Sequence, residues 1–214
     1  MSASKQQHPP QSGVSQQIQA SNLPVVEERN ASPEVQRLYQ QFREDFNRPQ
    51  VPGILQCFAT HPPLLEHMMG LAKSMLFIDG SLGRQHKEMI STFVSASNHC
   101  AYCTDSHAFA FRNNGGTAAA LDSVLARDLN SSSITPQERT LLNFAKKITE
   151  DSQAITSADI EAMRSAGWSD LQIAETIHVI ALFATFNRVV NAFGLPSQNL
   201  LQSFEKESPN VASR

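Results

Sequence analysis

The chain predicts an all-α fold, and three observations carry that reading. Helix-start chemistry recurs: Ser32-Pro33, Thr135-Pro136-Gln137-Glu138 and Ser169-Asp170-Leu171-Gln172 each place a capping side chain ahead of an apolar stretch. Glycine follows several of those stretches, as at Gly115-Gly116, Gly167 and Gly194. No convincing alternation of apolar and polar residues competes, and 9 Gly with 2 Tyr in 214 residues suit a turn-dense β sandwich poorly. Seven to nine helices are expected.

Taken in order, Ser32-Pro33 puts an N-cap before a proline at the first helical position and opens a helix through Val35, Leu38, Phe42 and Phe46. His61-Pro62-Pro63 precedes an apolar run from Leu64 to Ile78 that Asp79-Gly80 ends. Residues 83–97 carry Met89, Ile90, Phe93 and Val94 on one stripe. A helix is expected from about His99 to Asn113, then an Ala-rich one from the Thr117 cap to Asp128. The capping box at Thr135 opens a helix through Leu141, Leu142, Phe144, Ala145 and Ile148. A short helix spans Thr156 to Ala166, and the box at Ser169 opens a long one ending at Phe193. That last helix is apolar on most sides, but Glu175, His178, Asn187 and Arg188 interrupt it, so it is expected as a core helix or an oligomer contact.

One domain is expected over residues 23–207, between a disordered Gln/Ser-rich tail (1–22) and a frayed end (208–214). A net charge of −3 excludes a strongly basic nucleic-acid binder and a polybasic membrane sticker. The opening has no apolar h-region, so the expected address is cytoplasmic. Three cysteines cannot build a disulfide framework, since one is always left over. Their spacing has to carry the information.

It does so in the segment from Glu88 to His107. Cys100 and Cys103 form a Cys-x-x-Cys, His107 lies four residues after the second Cys, and Glu88 twelve before the first. In a chain this poor in cysteine, the Cys–Cys–His spacing has a chance expectation of roughly 0.001. On a helix, Cys100, Cys103 and His107 share an edge. Near the helix start, free N–H groups and the dipole favour a Cys100 thiolate. His107 can reach the Cys103 sulfur as a proton acceptor. A turn at Asn98-His99 would fold Glu88 back to polarise His107, directly or through water. The same donors leave a zinc site open, with His99, His86 or Glu88 as a fourth ligand. A redox sensor without turnover is also open.

At these residues the chain resembles the AhpD-like alkylhydroperoxidases of the carboxymuconolactone decarboxylase superfamily, whose pattern is Glu, eleven residues, Cys-x-x-Cys, three residues, His. Ser81-Leu82, Lys87-Glu88, Asn98, Tyr102, Asn187-Arg188 and Ala192-Phe193-Gly194 resemble its "peroxidase-related" branch. The resemblance implies a helical fold, homo-oligomers, and reduction of small hydroperoxides at the expense of an external dithiol, with no resident metal or cofactor. It makes Cys103 the peroxidatic thiol and Cys100 the resolving one, with His107 and Glu88 in the proton relay. Tyr102 departs from the pattern, standing where the best-studied alkylhydroperoxidases have His. Members without the cysteines are decarboxylases, so the redox expectation rests on the cysteine pair. A general dithiol–disulfide oxidoreductase is the alternative enzyme.

Among the remaining candidates, Cys57 is read as a small core residue, His178 as a hydrogen-bonded core histidine, and His61 and His67 as surface or helix-end residues. Asn187 and Arg188 are read as capping or pairing within an oligomer interface, and Trp168 as an anchor before the long helix.

Overall fold

Every start signal named above opens a helix. The computed structural model describes residues 21–78 and 80–207. Both expected tails (the first up to residue 20) and Asp79 lie outside the described residues. Among the described residues there are ten α-helices and no strand. They are α1 (Pro33–Phe46), α2 (Gly53–Phe58), α3 (Pro62–Ala72), α4 (Arg84–Ser97), α5 (Ala101–Asn113), α6 (Ala118–Ala126), α7 (Pro136–Asp151), α8 (Ser157–Ser165), α9 (Asp170–Phe193) and α10 (Leu200–Glu207).

Local chemistry explains the starts. Ser32 accepts a hydrogen bond from Val35 N, Thr117 from Ala120 N, and both Thr135–Glu138 and Ser169–Gln172 close as reciprocal capping boxes. Thr156–Asp159 forms a third box, with Asp in the place of the usual Glu or Gln. Gly194 ends α9 at φ +74°, a left-handed position that costs glycine little.

Two boundaries differ from the sequence reading, and two helices are additional. The apolar run to Ile78 is not one helix: α3 stops at Ala72, and a π-helical turn covers Lys73–Phe77. The helix expected from His99 begins at Ala101, because His99 adopts φ +54° and Cys100 is the N-cap. The two helices beyond those expected, α2 and α10, are short. Leu200 and Leu201 of α10 donate their N–H groups to the Asp105 carboxylate of α5 at 3.0 and 3.1 Å, a cap supplied from a distant part of the chain.

Helix α4 is the hub, packing on α5, α6, α7 and α9, and every residue from Lys87 to Ser95 is buried. Its Ser91 and Thr92 hydroxyls return to the carbonyls of Lys87 and Glu88, so those polar groups are satisfied within the helix. The buried Lys87 reaches the Ile78 carbonyl at 3.3 Å and Glu175 of α9 at 3.7 Å. Glu175 in turn accepts from Ser81 N and Leu82 N. A Cβ at Gly80 would fall 2.6 Å from those carboxylate oxygens, so the close approach needs glycine. By length and composition α9 could cross a membrane, but half of its apolar window is buried here, where it is a core helix.

Trp168 is buried ahead of α9, with Nε1 donating to the Gln137 carbonyl, and Cys57 is buried in α2. His61 and His67 are exposed on α3 or at its start. His178 corrects the sequence reading: it is exposed on α9 and not a core histidine. Its apolar neighbours Val179 and Ile180 are buried instead.

Candidate active site

The reversal between α4 and α5 builds the site. Cys100 N donates to the Ser95 carbonyl at 2.9 Å, which fixes the tight turn through Asn98 and His99 and sets Cys100 at the N-cap of α5. Its sulfur accepts the Cys103 backbone N–H at 3.4 Å. Both cysteines are free thiols and buried, and their side chains hydrogen-bond each other. One turn further along α5, His107 meets Glu88 of α4: Nδ1 and Oε2 are 2.6 Å apart. Glu88 is 0% exposed, and its other oxygen accepts Arg84 Nε–H at 2.5 Å. The four residues expected to work together are therefore adjacent, and Glu88 engages His107 directly.

The two sulfurs are not equivalent. The hydrogen bond from Cys103 pulls Cys100 below the ordinary thiol range, against the opposing effect of its burial, with help from Asn187. The same bond, with burial, pushes Cys103 far above it. Cys100 is thus the more acidic thiol of the pair, at a helix N-terminus that favours its charged form. Access is divided the other way. Cys103, with Glu88 and His107, lines a cavity of about 560 Å³, whereas Cys100 is 0% exposed and sits behind it. Cys57, by contrast, is pushed up to about 12 by burial alone and has no acidifying partner.

The cavity wall is largely apolar: Phe42 and Phe46 from α1, Ile54 and Leu55 from α2, Phe77 from the π-turn, Phe183 and Phe186 from α9. Its polar end is Arg84, Glu88, His107 and Cys103. Phe183 sets its ring edge-on to His107 at 4.5 Å between centroids, which limits how the imidazole can turn. Tyr102 lines the wall beside Cys103, and burial pushes its phenol up to about 12, so it enters any chemistry protonated.

Two residues at the site escaped the sequence reading. Asn187, which the sequence suggests for capping or an oligomer interface, is fully buried and favours the charged form of both thiols. Its Nδ2 also donates to Ser95 Oγ and its Oδ1 accepts from Asn98 Nδ2, each at 3.0 Å. An amide on the buried side of an apolar helix was the available signal. Arg188 next to it is exposed, with Nη1 donating to the Ala184 carbonyl. The second residue is Arg84, whose signal was the i,i+4 spacing to Glu88. As for a metal, no group of three or more His, Cys, Asp or Glu among the described residues is arranged to hold one. The exposed His99 and the Glu138-facing His86 do not join the thiols as the zinc alternative requires.

Residues 62–147 match the carboxymuconolactone decarboxylase family. A peroxidase-related AhpD-core protein from Ralstonia eutropha JMP134 superposes with a TM-score of 0.75 at 26% identity, over 84% of this chain and 94% of that one. The chain has an AhpD-like fold, and the carboxymuconolactone decarboxylase match lies within it at residues 62–147. A peroxidase-related protein from Silicibacter sp. TM1040 gives a TM-score of 0.72 at 26% identity, covering 86% of this chain and 95% of that one. The debrominase Bmp8 shares the AhpD-like fold at 15% identity and a TM-score of 0.68, over 86% of this chain and 95% of its own, a likeness of fold alone. Sestrin-1 of Xenopus laevis is 26% identical over 132 residues, 61% of this chain. The chain spans only about a quarter (26%) of that relative.

Proposed function

We propose that this chain is a thiol-dependent peroxidase that reduces organic hydroperoxides through a Cys100–Cys103 dithiol/disulfide cycle. The observation that carries the reading is a reduced, mutually hydrogen-bonded thiol pair, with Cys103 on the wall of an apolar cavity beside the Glu88–His107 dyad. The peroxidase-related neighbours at 26% identity support the reaction class.

The cycle balances as follows. His107 Nε2 takes one proton from the thiol pair on the cavity side. The remaining proton is shared between the sulfurs, and its transfer to Cys100 hands the charge to Cys103. The Cys103 thiolate attacks the terminal oxygen of the hydroperoxide; the O–O bond breaks, a sulfenic acid forms, and His107 returns its proton to the departing alkoxide, giving an alcohol. Cys100 then displaces the sulfenic hydroxyl as water and the disulfide closes. An external dithiol supplies the two electrons that reopen it. A cavity of about 560 Å³ is in the size range of sites for drug-sized ligands, and hydrogen peroxide would leave most of it empty. A bulky apolar hydroperoxide is the better fit.

Self-association belongs to the same reading, supported by the exposed Leu171 and Ile177 on the face of α9 turned away from the core.

The decisive experiment is thiol titration of metal-free, reduced protein before and after one equivalent of cumene hydroperoxide. Two thiols should disappear per chain, cumene hydroperoxide should outpace hydrogen peroxide in initial rate, and Cys103→Ser should abolish turnover. Full turnover by Cys103→Ser, or no thiol loss in the unaltered chain, would refute the cycle. Faster turnover of a generic disulfide than of either peroxide would mark a dithiol–disulfide oxidoreductase.

A further inference from the structure

We propose that Arg84 is a third member of the proton relay, a positioning residue that keeps Glu88 ionised and thereby holds His107 in the tautomer able to accept a proton from the thiol pair. The inference deepens the peroxidase reading and rests on it for the direction of proton flow.

The geometry starts from Glu88, a carboxylate with no exposure to water. Burial alone favours its protonated form. With only a neutral imidazole beside it, a protonated Glu88 would donate to His107 Nδ1, leaving the imidazole hydrogen on Nε2. That nitrogen could then accept nothing from the cavity. An ionised Glu88 reverses the hydrogen bond: Nδ1–H donates to Oε2 across the 2.6 Å contact and Nε2 keeps its lone pair. Arg84 supplies the charge that favours this second state, through Nε–H to Oε1 at 2.5 Å. Its guanidinium is held in place by the face of Phe77, 4.3 Å from the ring centroid, and Phe77 packs edge-on against Phe46.

Helix stability does not account for the residue. Arg84 is the first residue of α4, where the helix dipole disfavours a cation, and the first turn holds no acidic side chain. The order Arg then Glu at i,i+4 is also the weaker of the two for a helix. A locally unfavourable cation kept against a buried carboxylate suits a functional role. No other charge on the cavity wall is seen to serve Glu88. Arg48, after α1, lines the cavity without an ion pair to it, and Tyr102 and Cys103 are the other titratable groups of α5 there. The wall residues of α1, α2, α3, the π-turn and α9 are apolar, and Lys87 is turned to Glu175 and Ile78.

The test is the pH dependence of Cys103 alkylation by iodoacetamide in the full-length reduced chain, followed by peptide mass spectrometry from pH 5 to pH 9. Arg84→Met should move the low-pH limb upward by about one pH unit, and Arg84→Lys should restore most of it. In a Glu88→Gln background, Arg84→Met should add no further shift, because the carboxylate through which Arg84 acts is gone. The Arg84 side chain is partly exposed, and a thermal melt matching the unaltered protein certifies that the variant folds. An unmoved limb, a rate lowered equally at every pH, or a shift that persists in Glu88→Gln each overturns the proposal; the last would mean that Arg84 acts on the sulfurs directly. Alkylation needs no peroxide, so a shifted limb without peroxide-driven thiol loss would refute the peroxidase reading and leave Arg84's action on Glu88 standing.

Discussion

Asn187 shows what a single side chain decides here. Its amide is engaged at both ends: Oδ1 accepts from Asn98 and Nδ2 donates to Ser95, with the two sulfurs close enough to feel the same donor. A donor held against a buried thiol stabilises the thiolate, and the bond lowers both cysteines. Asn187→Leu removes that donor while keeping the volume, so we expect thiolate absorbance near 240 nm to develop at higher pH. Oxidation by cumene hydroperoxide at pH 7 should slow by about tenfold, the equivalent of one pH unit in the thiol. Should Asn187→Leu fold poorly, Asn187→Asp serves as the second variant, since its carboxylate repels a thiolate and shifts the same curve in the same direction. The three thiols of the chain illustrate the same point. Cys57, Cys100 and Cys103 are all buried, yet only the pair at the start of α5 has partners that favour its charged form.

At the scale of elements, the α4–α5 reversal matters most. His99 pays a left-handed backbone conformation to turn the chain in so few residues, and Asn191 of α9 pins the turn by donating to the Asn98 carbonyl at 3.1 Å. His99→Gly should leave the fold unchanged and raise stability by up to about 1 kcal/mol in urea unfolding, whereas His99→Val should lower it by about 1–2 kcal/mol. Equal effects of the two substitutions would mean that the histidine side chain, not the backbone, sets the cost. The sequence anticipated Ser32, Thr117, Thr135 and Ser169 because each cap and its partner lie within three residues. It placed the start of α5 two residues early, because a left-handed histidine has no sequence mark. It gave no sign of α10, whose capping carboxylate, Asp105, lies 95 residues before Leu200.

For the molecule as a whole, the buried Glu88 couples the site to stability. His107 and Arg84 together outweigh the cost of burial and hold its carboxyl below the usual 4.5. A depressed carboxyl adds stability that is fully present above its unfolded value and is lost as pH falls through the folded one. The unaltered chain should therefore lose stability below about pH 4.5 more steeply than Glu88→Gln, in urea midpoints taken between pH 6 and pH 3. Parallel curves would show that Glu88 is not ionised in the folded protein. The cavity is also a property of the whole, since α1, α2, α3, α4, α5, α9 and the π-turn each contribute to its wall.

The sequence by itself determined the helical class, the core helix α9 and the grouping of Glu88, Cys100, Cys103 and His107. Those follow from caps, apolar periodicity and a spacing pattern, all of which act over a few residues along the chain or belong to a recognisable motif. Only the tertiary structure decided that Cys103 faces the cavity while the more acidic Cys100 lies behind it, that Asn187 sits against both sulfurs, and that Arg84 shares Glu88 with His107. The physical reason is range. Burial, cavity shape and hydrogen-bond partners some ninety residues apart depend on how α4, α5 and α9 pack, and no local periodicity records that packing.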